Sequence, residues 1–301
     1  MRTYADYCFT RLLADLLAEE PVETRNSKAR PLFGPRFEFD SLPLITVRPT
    51  APMKALREME WFMSGYAHCR PELNDWWRGQ LDSNGRYLNG YPTQLRSSTY
   101  CSGMRVDYFD QIAHIVDSIR NHPHGRRGII TAWNPGEMAR ITETNDNPNT
   151  PTTCHLSFVQ FHVKRGALNM LSVQRSADVL LGLPHNWVQH WSLLAWLAHH
   201  CGLSVGRMIW VGGDVHLYDE PSHLECAREI VESDWARYMT RWVANAPQLE
   251  CSTPSLDYTP STPTESVQAI ADGYRAADFR IVWPDGQNKP EPLSTVRPVL
   301  L

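Results

Sequence analysis

The run from Pro151 to Asn186 constrains this chain more than any other stretch. Two β-rich segments follow one another there, end in a Gly-Leu-Pro turn and hand over to a long apolar helix. After Cys154 and His155, the residues Leu156, Phe158, Gln160 and His162 alternate, and a second segment from Ala167 delivers Gln174, Arg175, Ser176 and Asp178 together. Alternation has a period of two, so each segment offers one face for burial. From Asn186 to His200 the apolar residues Val188, Trp191, Leu194, Trp196 and Leu197 keep helical spacing, with Gly202 as the stop. Strands that lead into such a helix imply a sheet with helices packed on it. One thiol, one fixed cation, one carboxylate and one amide fall at strand ends and turns, where chemistry concentrates.

The chain of 301 residues is 42% apolar and carries a formal charge of -4, enough for one large globular domain with an ordinary core. No basic face dominates, which argues against nucleic acid as a partner. No apolar run approaches the ~20 residues of a membrane span, and Met1 to Glu20 lacks a signal pattern. An intracellular, cytoplasmic protein without a membrane partner is expected. The 7 cysteines show no C-x-x-C spacing, so neither a disulfide framework nor a metal site is implied.

Tyr4 to Glu19 sets Tyr4, Cys8, Leu12 and Leu16 on one face of a first helix. Glu23 to Arg30 reads as a loop, either a solvated connector or an anion clamp through Arg25, Lys28 and Arg30. Arg36 to Val47 reads as strands bent at Pro43. Thr50 is placed to cap a helix with Pro52 in its first turn. Glu58 and Glu60 on that helix are surface carboxylates unless buried, in which case they need a partner or a task. Residues 66 to 103, with Trp76, Trp77, Tyr87 and Tyr91, read as an irregular functional loop region or as packed aromatics. Met104 to Asn121 returns to helical period. Arg126 and Arg127 then precede a strand, and strand alternation would turn one of them away from its own core. Glu143 to Thr150 is a loop. Val205 to Gly213 is a strand leading to His216 and Tyr218, which share a face, and Pro221 starts a helix from Ser222 to Ala244. From Ala246 the composition shifts to Pro, Ser, Thr and Asp, implying surface structure wrapped on the core or a mobile tail.

The partners of Cys154 give it chemical meaning. A lone cysteine is more often a buried structural thiol, but a thiol beside His155 and near an arginine has the surroundings of a nucleophile. Arg25, Arg126, Arg127 and Arg175 exceed what a neutral ligand needs and suggest a phosphate. Asn186 suits an edge presenting C=O beside N–H, and His216 with Tyr218 suits a sugar hydroxyl. The ligand these residues imply is a nucleoside monophosphate.

Q-R-S-A-D-V-L-L-G-L-P-H-N (174–186), with T-T-C-H upstream and G-D-V-H-L-Y downstream, resembles the thymidylate synthase family and its nucleotide hydroxymethylase relatives. The likeness extends to E-M-E-W-F-M-S-G (58–65), G-Y-P-T-Q-L-R (90–96) and G-R-R-G-I-I-T-A-W-N (125–134), and covers roughly residues 20 to 225. It implies that Cys154 adds to C6 of a pyrimidine and makes C5 the nucleophile that takes a one-carbon unit from 5,10-methylenetetrahydrofolate. Arg25, Arg175 and Ser176 would hold the 5'-phosphate, and Arg126 and Arg127 would reach the phosphate of the neighbouring subunit in a homodimer. His216 and Tyr218 would bind the sugar. Glu58 would organise proton transfer, and Tyr91 would assist at the C5 proton. Asp178, Gly182, Trp76 and Trp77 would face the folate, and Asn186 would read uracil. The expected fold is α/β (α+β): a large twisted mixed sheet flanked by helices, dimeric through the sheet face. Residues 1–301 are expected to form a single domain, with 246–301 a divergent segment.

Departures fall where methylation and hydroxymethylation part. The synthases' R-T-G-T-G-T loop is Arg25-Asn-Ser-Lys-Ala-Arg30, the block Y-G-x-Q-W-R has Leu95 for its tryptophan, and Thr153 replaces proline before the cysteine. The residue before Asn186 is His185 rather than phenylalanine, and Gln189 and His190 follow. Water exclusion decides between methyl and hydroxymethyl products. The added polar groups favour 5-hydroxymethylation of dUMP, while Trp76 and Trp77 favour an ordinary synthase; a cytidylate hydroxymethylase is the third reading. A non-enzymatic nucleotide or messenger-RNA binder would not need Cys154, Arg175, Asn186 and Glu58 intact. A Cys154–His155 hydrolase pair is disfavoured because neighbours on a strand face apart.

Overall fold

The computed structural model describes residues 3–24, 27–88, 90–102, 104–135, 155–233, 247–251, 273–282 and Pro292. Helix α1 (Tyr4–Ala18) opens with a reciprocal cap: the Asp6 amide donates to Thr3 Oγ1 and the Thr3 amide donates to Asp6, each at 2.9 Å. The Asp6 carboxylate also accepts from the amides of Thr46 at 2.6 Å and Val47 at 3.1 Å. Those amides are therefore unavailable to a ladder, and the strand expected over Arg36 to Val47 is confined to β3 (Arg36–Phe39). Leu42, Leu44, Ile45 and Val47 remain buried as irregular core.

Strands β1 (Val22–Glu23) and β2 (Lys28–Phe33) take in both ends of the segment expected to be a loop. The polar composition hid them, because β2 is held by its ladder to a later strand rather than by an apolar face. Two of the three cations of the anion clamp are committed there. Arg30 bonds Asp219 at 2.8 Å and the Leu17 and Glu19 carbonyls, and Lys28 pairs with Glu23 at 3.3 Å. Helix α2 (Pro52–Ser64) starts from Ala51 without a side-chain cap; the Thr50 hydroxyl donates instead to the Ile45 carbonyl.

The region expected to be irregular contains helices α3 (Asn74–Trp77) and α4 (Tyr91–Arg96) and a hairpin of β4 (Ser98–Ser102) with β5 (Arg105–Phe109). The helix expected from Met104 begins only at α5 (Gln111–Asn121), where Asp110 caps it by accepting from the Ala113 amide at 2.9 Å. Strand β6 (Ile129–Ile130) is followed by β7 (Phe158–Lys164), β8 (Ala167–Asp178), helix α6 (Leu183–His200), β9 (Ser204–Tyr218) and helix α7 (Pro221–Val231). Helix α6 starts three residues before Asn186, so that amide lies inside its first turn. The composition shift after Ala246 conceals β10 (Gln248–Cys251) paired with β11 (Phe279–Val282).

The main sheet has seven strands in the order β1-β2-β9-β8-β7-β6, with β3 also pairing with β9. Only β8 and β9 run parallel among these neighbours, which makes the sheet mixed. On one face Val159, Phe161, Met170, Ser172, Met208 and Trp210 are buried, with α6 packed over β8 and β9. Trp187 of α6 lies 4.9 Å from the ring of Phe39 and 5.5 Å from that of Trp210. The protein is thus an α/β molecule with a large mixed sheet flanked by helices, as expected. No helix among the described residues is long and apolar enough to cross a membrane.

Candidate active site

Where α2, α3, α4, the end of β8 and the start of α6 converge, they enclose a cavity of about 460 Å³, within the range of small-ligand sites. Gln174, Ser176 and Asp178 reach it from alternate positions of β8, Gly182 and Asn186 from the turn and first turn of α6. Glu58 and Phe62 come from α2, Tyr91 from α4, and Trp76 and Trp77 from α3. Of the residues expected at the site, eight therefore meet at one cavity: Glu58, Tyr91, Trp76, Trp77, Ser176, Asp178, Gly182 and Asn186.

Glu58 is 7% exposed. The Trp77 indole donates to its Oε1, and Gln189 Nε2 donates to its Oε2 at 2.6 Å. Burial drives its pKa up to about 7, against the pull of those two hydrogen bonds and of Lys54. A carboxyl poised near neutrality inside a cavity has the properties of a proton carrier. Tyr91 stacks on Phe62 at 4.2 Å and accepts a hydrogen bond from the His155 amide at 2.6 Å. This fixes the chain immediately after Cys154.

His155 lines the cavity with one ring nitrogen engaged. Its Nδ1 meets His190 Nε2 at 2.9 Å, and His190 Nδ1 meets Ser172 Oγ at 3.0 Å. Its Nε2 is buried and has no hydrogen-bond partner among the described residues. Burial, with His190 alongside, holds the His155 pKa well below the ordinary value, and burial lowers His190 to about 3. Both rings are neutral. Arg48 Nε and Gln80 Oε1, which also line the cavity, are likewise buried without partners. Three residues of the cavity wall thus each hold a polar atom that is buried and unmatched among the described residues.

The three polar groups expected to admit water are all committed elsewhere. His185 Nδ1 bonds the Leu181 carbonyl at 2.8 Å and its Nε2 accepts from the Ala51 amide at 3.2 Å. Gln189 joins Asn186 to Glu58, and His190 joins His155 to Ser172. Burial lowers the His185 pKa to about 4, so it serves as a neutral ring against Trp76, 4.8 Å away. Leu95 is fully buried in the core.

Apart from Ser176, the described residues expected at the phosphate and sugar do not line this cavity. Arg126 and Arg127 are both exposed ahead of β6 and neither lines the cavity. Arg175 is exposed, with its guanidinium 5.6 Å from the Trp133 ring centre. His216 and Tyr218 pack ring to ring at 5.0 Å near the end of β9, where His216 pairs across the ladder with Asp178. Cys154 and Arg25 lie outside the described residues, as does the Glu143 to Thr150 loop. Sequence reasoning did not single out Arg48, Phe62, Gln80 or the anchoring use of Gln174. Only Gln174 had a signal, its two-residue spacing from Ser176 and Asp178. Among the described residues no group of three or more His, Cys, Asp or Glu is placed to hold a metal ion.

A buried acid, a half-committed amide and a neutral imidazole thus share one cavity with aromatic walls. The thymidylate synthase family model matches residues 9–260, and the chain belongs to that family. It is therefore a one-carbon transferase of the type that works at C5 of a pyrimidine with methylenetetrahydrofolate.

Proposed function

We propose that this enzyme 5-hydroxymethylates a pyrimidine nucleoside 5'-monophosphate, with dUMP favoured by Asn186. In this reading Cys154 adds to C6, Asn186 reads the base edge, and Glu58 and Tyr91 handle protons around C5. The folate supplies the one-carbon unit, against a wall of Trp76, Trp77, Gly182 and Asp178 whose aromatic faces and carboxylate suit a pterin. What supports the hydroxymethyl product is His155, a neutral residue of the cavity wall whose buried Nε2 has no hydrogen-bond partner among the described residues. A turn of this ring would present that nitrogen to a water molecule beside Tyr91, whose ring centre lies 4.8 Å away. A water held there competes with reduction of the exocyclic methylene on C5.

The phosphate is assigned to Arg25, Arg175 and Ser176, with Arg126 and Arg127 supplied by a second copy, and the sugar to His216 and Tyr218. The sheet face opposite α6 supports a homodimer. Phe158, Val173 and Val211 form one row across it and Leu171 and Ile209 another, all only partly buried. An apolar face of this kind suits a self-complementary interface. Residues 1–301 are proposed to be one domain, with the C-terminal segment braced on the core. There Tyr274 donates to Ser192 Oγ at 2.7 Å, and the Ala276 amide donates to Glu60 at 2.8 Å.

The test is to incubate the enzyme with dUMP, dCMP, UMP and CMP plus methylenetetrahydrofolate and to weigh the nucleotide. A gain of CH2O on dUMP is expected. A gain of CH2 makes the enzyme an ordinary synthase, and a product only from dCMP or CMP reassigns the base.

A further inference from the structure

The cavity floor is one continuous run of side-chain hydrogen bonds, and its direction is fixed at both ends. The Trp210 indole can only donate, and it donates to Gln174 Oε1 at 3.0 Å. Gln174 Nε2 is thereby turned toward the Ser176 carbonyl at 3.1 Å and Asn186 Oδ1 at 2.9 Å. Asn186 Nδ2 then donates to Gln189 Oε1 at 3.1 Å, and Gln189 Nε2 donates to Glu58 Oε2 at 2.6 Å and to the Ala55 carbonyl at 3.3 Å. An amide taken alone leaves its orientation open. Here a donor-only indole at one end and an accepting carboxylate at the other settle every amide between them.

We propose that Gln189 is a positioning residue that wires the base-reading amide of Asn186 to the buried carboxylate of Glu58. A single hydrogen-bond chain then sets both which pyrimidine edge is read and how Glu58 is held. This rests on the roles of Asn186 and Glu58 given under Proposed function. Asn186 and Gln189 lie three residues apart on α6, so they share a face. The length of the glutamine side chain carries the link across to α2.

At the base end, Asn186 keeps one N–H and one lone pair beyond its bonds to the described residues. Their order matches C=O beside N–H, the uracil edge. Cytosine presents an amino group beside a bare ring nitrogen, the reverse polarity. Reading it needs Asn186 to invert, which sets Nδ2 against Gln174 Nε2 and Oδ1 against Gln189 Oε1. Two part-buried bonds would be lost, each worth on the order of tenfold in binding. At the acid end, Gln189 donates to the carboxylate and opposes the burial that favours its protonated form. Lys54 on α2 also acts on this group, and Glu58 in turn adds to the burial that raises the Cys69 thiol. Tyr91, His155, His185 and Arg48 line the same cavity.

Two substitutions separate the two ends. Gln189→Met keeps length and removes the bonds to Asn186, Glu58 and the Ala55 carbonyl. Isothermal titration with dUMP and with dCMP, without folate, should show the dUMP preference shrinking about tenfold. Carbon-13 NMR of labelled glutamate carboxyls should show the Glu58 midpoint rising. Gln189→Glu keeps an acceptor for Asn186 but sets a carboxylate against Glu58, so the preference should hold while the midpoint rises further. An unchanged dUMP-to-dCMP ratio in the Met variant, or an unchanged Glu58 midpoint in the Glu variant, overturns the proposal. If the Met variant does not fold, the Glu variant decides alone. A merely space-filling Gln189 would change the melting temperature of both without separating the two readings. No outcome depends on the one-carbon product. A native enzyme that binds no nucleotide at all would instead strike the functional reading beneath it.

Discussion

The base end of the cavity and the arginines assigned to the phosphate are built on opposite principles. Around Asn186 and Glu58 the amides bond one another in a fixed order, and Gln174, Gln189 and Glu58 are buried, within one chain. Arg126, Arg127 and Arg175 are exposed side chains on the open side of the fold. A low-dielectric interior makes an unmatched group costly, so specificity belongs where water is absent. Phosphate carries charge at long reach and tolerates exposed, mobile donors that position rather than discriminate. In the proposed reading the enzyme separates what it recognises from how firmly it holds it, and only recognition would be completed by a single chain.

The most severe break in this division is at the reacting atom. Cys154→Ala should reduce turnover to background while dUMP binding stays within about tenfold; persisting turnover would remove covalent catalysis. The next largest effect should come from inverting the recognition end directly. Asn186→Asp should swing preference from uracil to cytosine by ~100-fold or more, measured as the ratio of kcat/KM for dUMP and dCMP. An unmoved ratio takes Asn186 out of base reading.

The holding end should behave as shared property. Arg126→Ala and Cys154→Ala variants, each inactive alone, should recover activity when mixed as verified heterodimers, because one composite site would then have both its thiol and its arginine. Heterodimers without activity would confine the phosphate site to one subunit.

The smallest effect sharpens the comparison through pH. His155, His185 and His190 are held neutral below the ordinary histidine range. The unfolded chain therefore binds more protons than the fold between about pH 4 and 6.5, and stability falls as pH drops through that window. Each such histidine contributes a slope of up to ~1.4 kcal/mol per pH unit. Glu58 acts in the opposite sense. Its raised pKa makes the fold the better proton binder, so its contribution is present at pH below about 4.5 and lost as pH rises through about 7. Denaturant midpoints measured across pH 4 to 8 should show His185→Phe flattening the acid limb and Glu58→Gln flattening the opposing slope. An acid limb unaltered in the first variant would mean that His185 is protonated in the fold.

The site was legible wherever its residues share a local period. The alternation that buries Met170 and Ser172 also brings Gln174, Ser176 and Asp178 to one end of the sheet, and α6 announced itself by its apolar spacing. Illegible parts depend on partners far away in sequence. β2 looked like a loop because its polar residues say nothing of the ladder to β9, and the 42–47 segment looked like a strand because nothing local reveals that Asp6 takes its amides. His185 and His190 looked like added polarity, although in the fold their nitrogens face protein rather than water.

By itself the sequence determined the set of chemical groups, the two strands and helix that deliver half of them, and the family to which the chain belongs. Tertiary structure alone decided that Glu58 is buried and titrates near neutrality, and that Gln189 meets it across 131 residues of chain. Periodicity is a property of neighbours. Desolvation and hydrogen-bond direction are properties of whatever the fold brings alongside.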